Sequence, residues 1–199
     1  MSELLSNTLG FKNKYRGSCL FFFLCVGSYI YQQITNIDIY QYAFSAAEFT
    51  WSWHGIFVYL MAHVSHLDFY HLFGNMFLFV LLAPSVEQDL KFTKFMWLVL
   101  VSSIGASAGQ TLINGVDSGG IGASGVIFGL MGAFLVPRKF SLFWLLTLLV
   151  VGTRISIEVL QLPGFDGIGH AAHVGGFFGG LTTKCLFEIR RLRKCLTAN

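Results

Sequence analysis

Between Arg16 and Lys91 the chain has no lysine or arginine, and between Lys94 and Arg138 there is again none. Each gap exceeds the roughly 20 apolar residues that one membrane-crossing helix needs, and the first has room for two crossings and a loop. Only 12% of the 199 residues are charged, about half the usage of a soluble domain, which points to a membrane protein. The basic residues punctuate the apolar segments in clusters: Lys12, Lys14 and Arg16; Lys91 and Lys94; Arg138 and Lys139; Arg190, Arg191, Arg193 and Lys194. Such clusters mark cytoplasmic ends of spans. A nucleic-acid surface would need one continuous basic stripe, so no nucleic-acid partner is expected.

The pattern predicts an all-α membrane protein: a single six-helix bundle over residues 1–199, with both termini cytoplasmic. Residues 1–16 form a short cytoplasmic tail and 188–199 a basic one. The expected spans are 17–35, 70–86, 92–113, 124–137, 140–160 and 167–187. The first lacks a clear cleavage site and is followed by more spans, so it reads as a retained helix. The loop 36–69 carries Asp38, Glu48 and Asp68 but no Lys or Arg, which places it outside the cytoplasm. Its cluster of Phe49, Trp51, Trp53 and Phe57 suits short helices lying at the membrane interface. Cys19, Cys25, Cys185 and Cys195 show no metal-ligand spacing. No metal or other cofactor is expected.

The fourth span is too short to cross alone. From Ser124 to Pro137 is roughly 13 residues, or about 20 Å, against a hydrocarbon core of about 30 Å. Counted from Arg138-Lys139, Ser124 should lie on the order of 10 Å below the outer surface, under a glycine-rich loop that dips into the membrane. Irregular backbone at that depth must be buried in protein or line a wet cavity. Ser124 sits in Gly122-Ala123-Ser124-Gly125, a small-residue turn that suggests a nucleophile.

All six histidines map to the outer half of this topology, where polar groups face the interior and invite a functional reading. His54 and His63 read as structural, and His66 could be either structural or functional. His71 and Asn75 are i and i+4 on one helix face. They suit helix–helix hydrogen bonding or donation to an anion developing near Ser124. On the sixth span, His173, Gly176 and Gly180 share a face, and Ser124 or Gly125, Gly129 and Gly132 form a second small stripe. Two such faces predict close contact between the fourth and sixth spans. That contact could bring a histidine base within hydrogen-bond reach of the serine. His170, one turn above His173, is the rival base. Phe128, one turn beneath Ser124, could pack against the imidazole or simply fill space. Arg154 and Glu158 read as a snorkelling i,i+4 ion pair with no catalytic role.

Together, Gly122-Ala123-Ser124-Gly125, His71 through Asn75, and Ala172-His173-Val174-Gly175-Gly176 with Gly180 resemble the rhomboid family of intramembrane serine proteases, in particular its bacterial GlpG-type members. The resemblance implies a serine endopeptidase that cleaves single-span membrane proteins in or beside their transmembrane segments, within a bacterial inner membrane and in contact with its lipids. It implies Ser124 as nucleophile and His173 as general base, a dyad without an acidic third member. The Ser124 N–H, His71 and Asn75 would form the oxyanion site, with Gly122, Gly125, Phe128 and Gly176 supporting. The fifth span and the 161–168 loop would gate substrate entry. Two departures stand out. Trp53-His54 replaces a Trp-Arg pair, and Phe128 replaces a frequent tyrosine, so a phenolic hydrogen bond is not expected. The alternatives are a catalytically inactive, client-binding relative and a small membrane transporter. The former would lack the serine or the histidine; the latter would need intramembrane carboxylates, which this reading does not find. The natural substrate and the oligomeric state stay open.

Overall fold

One short helix lies at the centre of the bundle, and its neighbours are placed by what packs against it. The computed structural model describes residues 14–136, 142–161 and 169–197. These form α1 (Arg16–Thr35), α2 (Trp53–Ala62), α3 (Phe69–Asn114), α4 (Ser124–Phe134), α5 (Leu142–Leu160) and α6 (His170–Thr197), with a 3₁₀ turn at Ile39–Tyr42. The expected stop at Pro137-Arg138-Lys139, residues 162–168 of the proposed gate and residues 1–13 of the N-terminal tail lie outside the described residues.

At 46 residues, α3 would be about 70 Å long if straight. It folds back instead at Lys91, whose φ of 66° and ψ of 165° interrupt the helix. A positive φ is costly for a residue with a Cβ and marks a sharp change of direction. The two arms, 69–90 and 92–114, are antiparallel. His71 of the first arm and Ala106 of the second both lie against the start of α4, around Gly122 and Gly125. The arms match the expected second and third spans.

By length and composition, α1 and α3 are long and apolar enough to cross a membrane. At 11 residues α4 is too short, and α6 continues past the expected end of its span through a run of basic residues to Thr197. From Gly125 to Phe134 every residue of α4 is buried, the signature of a helix that is apolar all round and enclosed by others.

Glycine pairs on α6 make that enclosure possible. Gly176 and Gly180 face α4: a Cβ on Gly176 would stand 2.1 Å from the Gly125 carbonyl oxygen, and one on Gly180 1.9 Å from that of Gly129. Gly175 and Gly179 face the second arm of α3 instead, where a Cβ on Gly175 would meet the Gly105 carbonyl oxygen at 2.1 Å. The doubled glycines, repeated every four residues, thus give α6 two contact faces at backbone distance. The register runs antiparallel to that arm and parallel to α4.

At the Lys91 end, Glu87 is 1% exposed. Its carboxylate accepts from Gly17 N (2.7 Å), Ser18 N (2.8 Å) and Ser18 Oγ (2.6 Å). The first N–H groups of α1 have no local side-chain cap, so a carboxylate from α3 satisfies them where the helix dipole favours negative charge. Lys184, also 1% exposed, reaches Asp89 at 2.9 Å and Glu188 at 3.4 Å.

Candidate active site

At the other end of the bundle, four elements converge on Ser124. The turn before α4 is held by Gly122 N donating to Ala62 O at 2.7 Å. Gly122 takes φ +124°, and a Cβ there would lie 2.8 Å from the His71 ring. Both the dihedral and the crowding require glycine. Ser124 is the first residue of α4, and no side chain caps that terminus. Its first-turn N–H groups thus have no side-chain cap among the described residues and lie at the positive end of the helix dipole.

His173 on α6 places Nε2 2.9 Å from Ser124 Oγ. The close α4–α6 approach set by the glycines puts them there. Phe128 stacks on the His173 ring, centroids 4.4 Å apart and planes 8° from parallel. His71 stands in the first turn of α3, which Asp68 caps by accepting from His71 N at 2.8 Å. One turn on, Asn75 Nδ2 is buried with no hydrogen-bond partner among the described residues, beside Gly122 on the same side as the His71 ring. A buried amide donor without an acceptor costs on the order of 1–3 kcal/mol, which is consistent with a donor reserved for a ligand.

A cavity of about 40 Å³ adjoins Ser124 and is lined in part by Gly125, His63, Ser107 and Gln110. That is room for a water or two. Gln110 Oε1, buried without a partner among the described residues, offers an acceptor there. His63 and Gln110 carried no expectation for such a cavity, because nothing in their spacing places them opposite Ser124. His54 is exposed. His66 is buried, its ring 5.0 Å from that of His71.

Glu158 departs most from the sequence reading. Its Oε1 does pair with Arg154, at 3.2 Å. The carboxylate is nevertheless 1% exposed, and Oε2 lies 2.5 Å from His170 Nδ1 and 2.8 Å from His173 Nδ1. The bundle therefore holds a buried carboxylate that the sequence reading did not count, and His170 contacts this carboxylate. These three residues present donors of metal-binding type. Their N···O separations are hydrogen-bond lengths, shorter than the edge of about 3.3 Å that tetrahedral bonds of about 2.0–2.1 Å require. The spacing suits a shared proton rather than a cation.

Helices stacked on glycine enclose a hydrogen-bonded serine–histidine pair in an all-helical bundle. A family model for the rhomboid domain matches residues 50–189. The chain belongs to the rhomboid family and is an integral, multi-pass membrane protein. It is 32% identical over 134 residues to RHOMBOID-like protein 1 of Arabidopsis thaliana, covering 63% of this chain and 33% of that protein. Over 131 residues it is 32% identical to rhomboid protease GlpG of Yersinia enterocolitica, covering 58% and 42%. The match to the Yersinia pestis GlpG is 26% over 178 residues, covering 79% and 58%. The chain thus spans about a third to somewhat over half of these relatives, and plant and bacterial members match it about equally.

Proposed function

We propose that this protein is an intramembrane serine endopeptidase that hydrolyses peptide bonds in or next to the transmembrane segments of single-span proteins. The observation that carries the reading is the 2.9 Å contact between Ser124 Oγ and His173 Nε2 beside an Asn75 donor with no partner among the described residues. His173 Nε2 takes the hydroxyl proton as Oγ attacks the scissile carbonyl, forming a C–O bond and an oxyanion. The Ser124 N–H at the start of α4, Asn75 Nδ2 and His71 Nε2 receive that charge. The proton then passes from His173 to the leaving amine as the C–N bond breaks. A water from the cavity lined by Ser107 and Gln110 attacks the ester carbonyl and gives its proton to His173; His173 returns that proton to Ser124 Oγ as the acyl C–O bond breaks and the acid leaves.

A helical substrate hides its carbonyls in its own hydrogen bonds, so segments that unwind easily, with small residues at the bond, are the preferred sites. Following the positive-inside rule, the Lys91 end of the bundle and both termini face the cytoplasm. Ser124 then lies toward the opposite face. Similarity to the Yersinia GlpG proteases supports a GlpG-type activity in a bacterial inner membrane, and α5 with the 161–168 loop is the proposed substrate gate.

The test uses purified protein and a labelled single-span substrate. Ser124→Ala and His173→Ala should each reduce cleavage by at least about 10³-fold at unchanged unfolding temperature, and a fluorophosphonate should label the wild type at Ser124 alone. A folded wild type that neither cleaves nor labels would point instead to a client-binding relative.

A further inference from the structure

We propose that Glu158 is a positioning residue that completes a Ser124–His173–Glu158 relay, fixing the tautomer of the base and stabilising its charge. The proposal rests on the protease reading above and extends it. His173 has two ring nitrogens, and only a bare Nε2 can accept the Ser124 proton. A neutral imidazole keeps Nε2 bare when its proton is on Nδ1, and a hydrogen bond at one nitrogen decides which tautomer is present. Glu158 Oε2 lies 2.8 Å from His173 Nδ1, so an ionised carboxylate there holds the proton on the productive side.

The surroundings favour the ionised form. Arg154 Nη2 donates to Oε1 at 3.2 Å, and His170 Nδ1 lies 2.5 Å from the same Oε2 that meets His173. A protonated acid would forfeit the guanidinium pair and could donate to only one of the two imidazoles. An isolated buried carboxylate is expensive, and its cost is offset only by paired charges and hydrogen bonds. Glu158 has both, on a face where His170 and His173, at i and i+3, are presented together. When His173 takes the serine proton it becomes an imidazolium 2.8 Å from a negative oxygen, and the developing charge is matched without movement of either group. Phe128 stacks flat on one face of the same ring. The imidazole is thus fixed at one face and at both nitrogens.

The relay also links α5 to the chemistry. Glu158 on α5 bonds the base, so displacing α5 would release His173 Nδ1 and let the unproductive tautomer form. Productive geometry then requires α5 to be docked against α6.

The proposal is tested on the full chain labelled with ¹⁵N-histidine. Ring-nitrogen NMR of the wild type near neutral pH should show His173 protonated at Nδ1 and bare at Nε2. In Glu158→Ala the Nδ1–H signal should vanish and the Nε2–H tautomer appear. Glu158→Gln keeps the side-chain shape but removes the charge. Its kcat should fall by between about 10² and 10⁴ while KM stays within about threefold, the split expected when only the transition state loses stabilisation. A wild-type His173 protonated at Nε2, or a Glu158→Gln enzyme with kcat within threefold of wild type, would overturn the proposal. A wild type with the expected tautomer but no cleavage and no Ser124 labelling would support the positioning role while overturning the protease reading.

Discussion

At the scale of single residues, Asn75 offers a test of whether a buried donor serves the proposed reaction or the fold. Its Nδ2 is buried and satisfies nothing among the described residues, so Asn75→Ala removes a polar group whose loss the folded state does not feel. Removing one such donor from an oxyanion site costs about 10²–10³ in kcat. Asn75→Ala should therefore slow cleavage of the single-span substrate by that factor, with an unfolding temperature equal to or above that of wild type. A variant of unchanged kcat but lower stability would show the amide to be structural. The sequence displays Ser124, His173, His71 and Asn75 because each is referred to a helix start or to a partner one turn away, and helical spacing is fixed. Glu158 is not displayed. Arg154, four residues before it, already accounts for its charge, and no spacing within α5 tells which face meets α6. His170 was ambiguous for the same reason, since its partner lies on another helix.

At the scale of elements, α6 is the scaffold on which the site depends. The stripe of Gly176 and Gly180 against Gly125, Gly129 and Gly132 was readable as two small faces that must meet. The second stripe, Gly175 and Gly179 against Gly105 and Gly109, was not recognised, although the doubled glycines are its signature. One glycine of each pair serves each neighbour, because adjacent positions on a helix point about 100° apart. Gly176→Val and Gly175→Val should therefore both destabilise, through different helices. Overpacking typically costs 1–3 kcal/mol and more when backbone is the obstacle, and here the obstacle is a carbonyl oxygen at 2.1 Å in each case. Both variants should unfold at lower temperature. Gly176→Val alone separates α4 from α6, so it should also lose fluorophosphonate labelling of Ser124 under conditions where Gly175→Val, still folded, retains more of it. Equal labelling in the two folded variants would contradict this division of faces.

At the scale of the whole molecule, the buried titratable groups include some held by several hydrogen bonds or ion pairs and others kept neutral. Glu87, Lys184 and Glu158 are buried with hydrogen-bond or ionic partners. His63 and His66, in the connection between α2 and α3 and outside the spans, are instead held neutral. Burial lowers His63 from 6.5 to about 4. It is also the largest cause of the fall of His66 to about 3, to which the neighbouring His71 adds. Both values lie below those of the unfolded chain, so from about pH 6.5 down to about 4 the unfolded state binds more protons than the folded one. Stability then rises with pH across that window: it is fully present above about 6.5 and is lost as the pH falls. Each ring contributes a slope of at most about 1.4 kcal/mol per pH unit. Unfolding midpoints in one detergent should therefore be level from pH 8 to 7 and drop progressively toward pH 4.5. His66→Leu, which cannot take up the proton, should show a shallower drop over the same range. A His66→Leu curve parallel to wild type would mean that His66 is not held neutral by its burial and that the acid sensitivity arises at the other histidines.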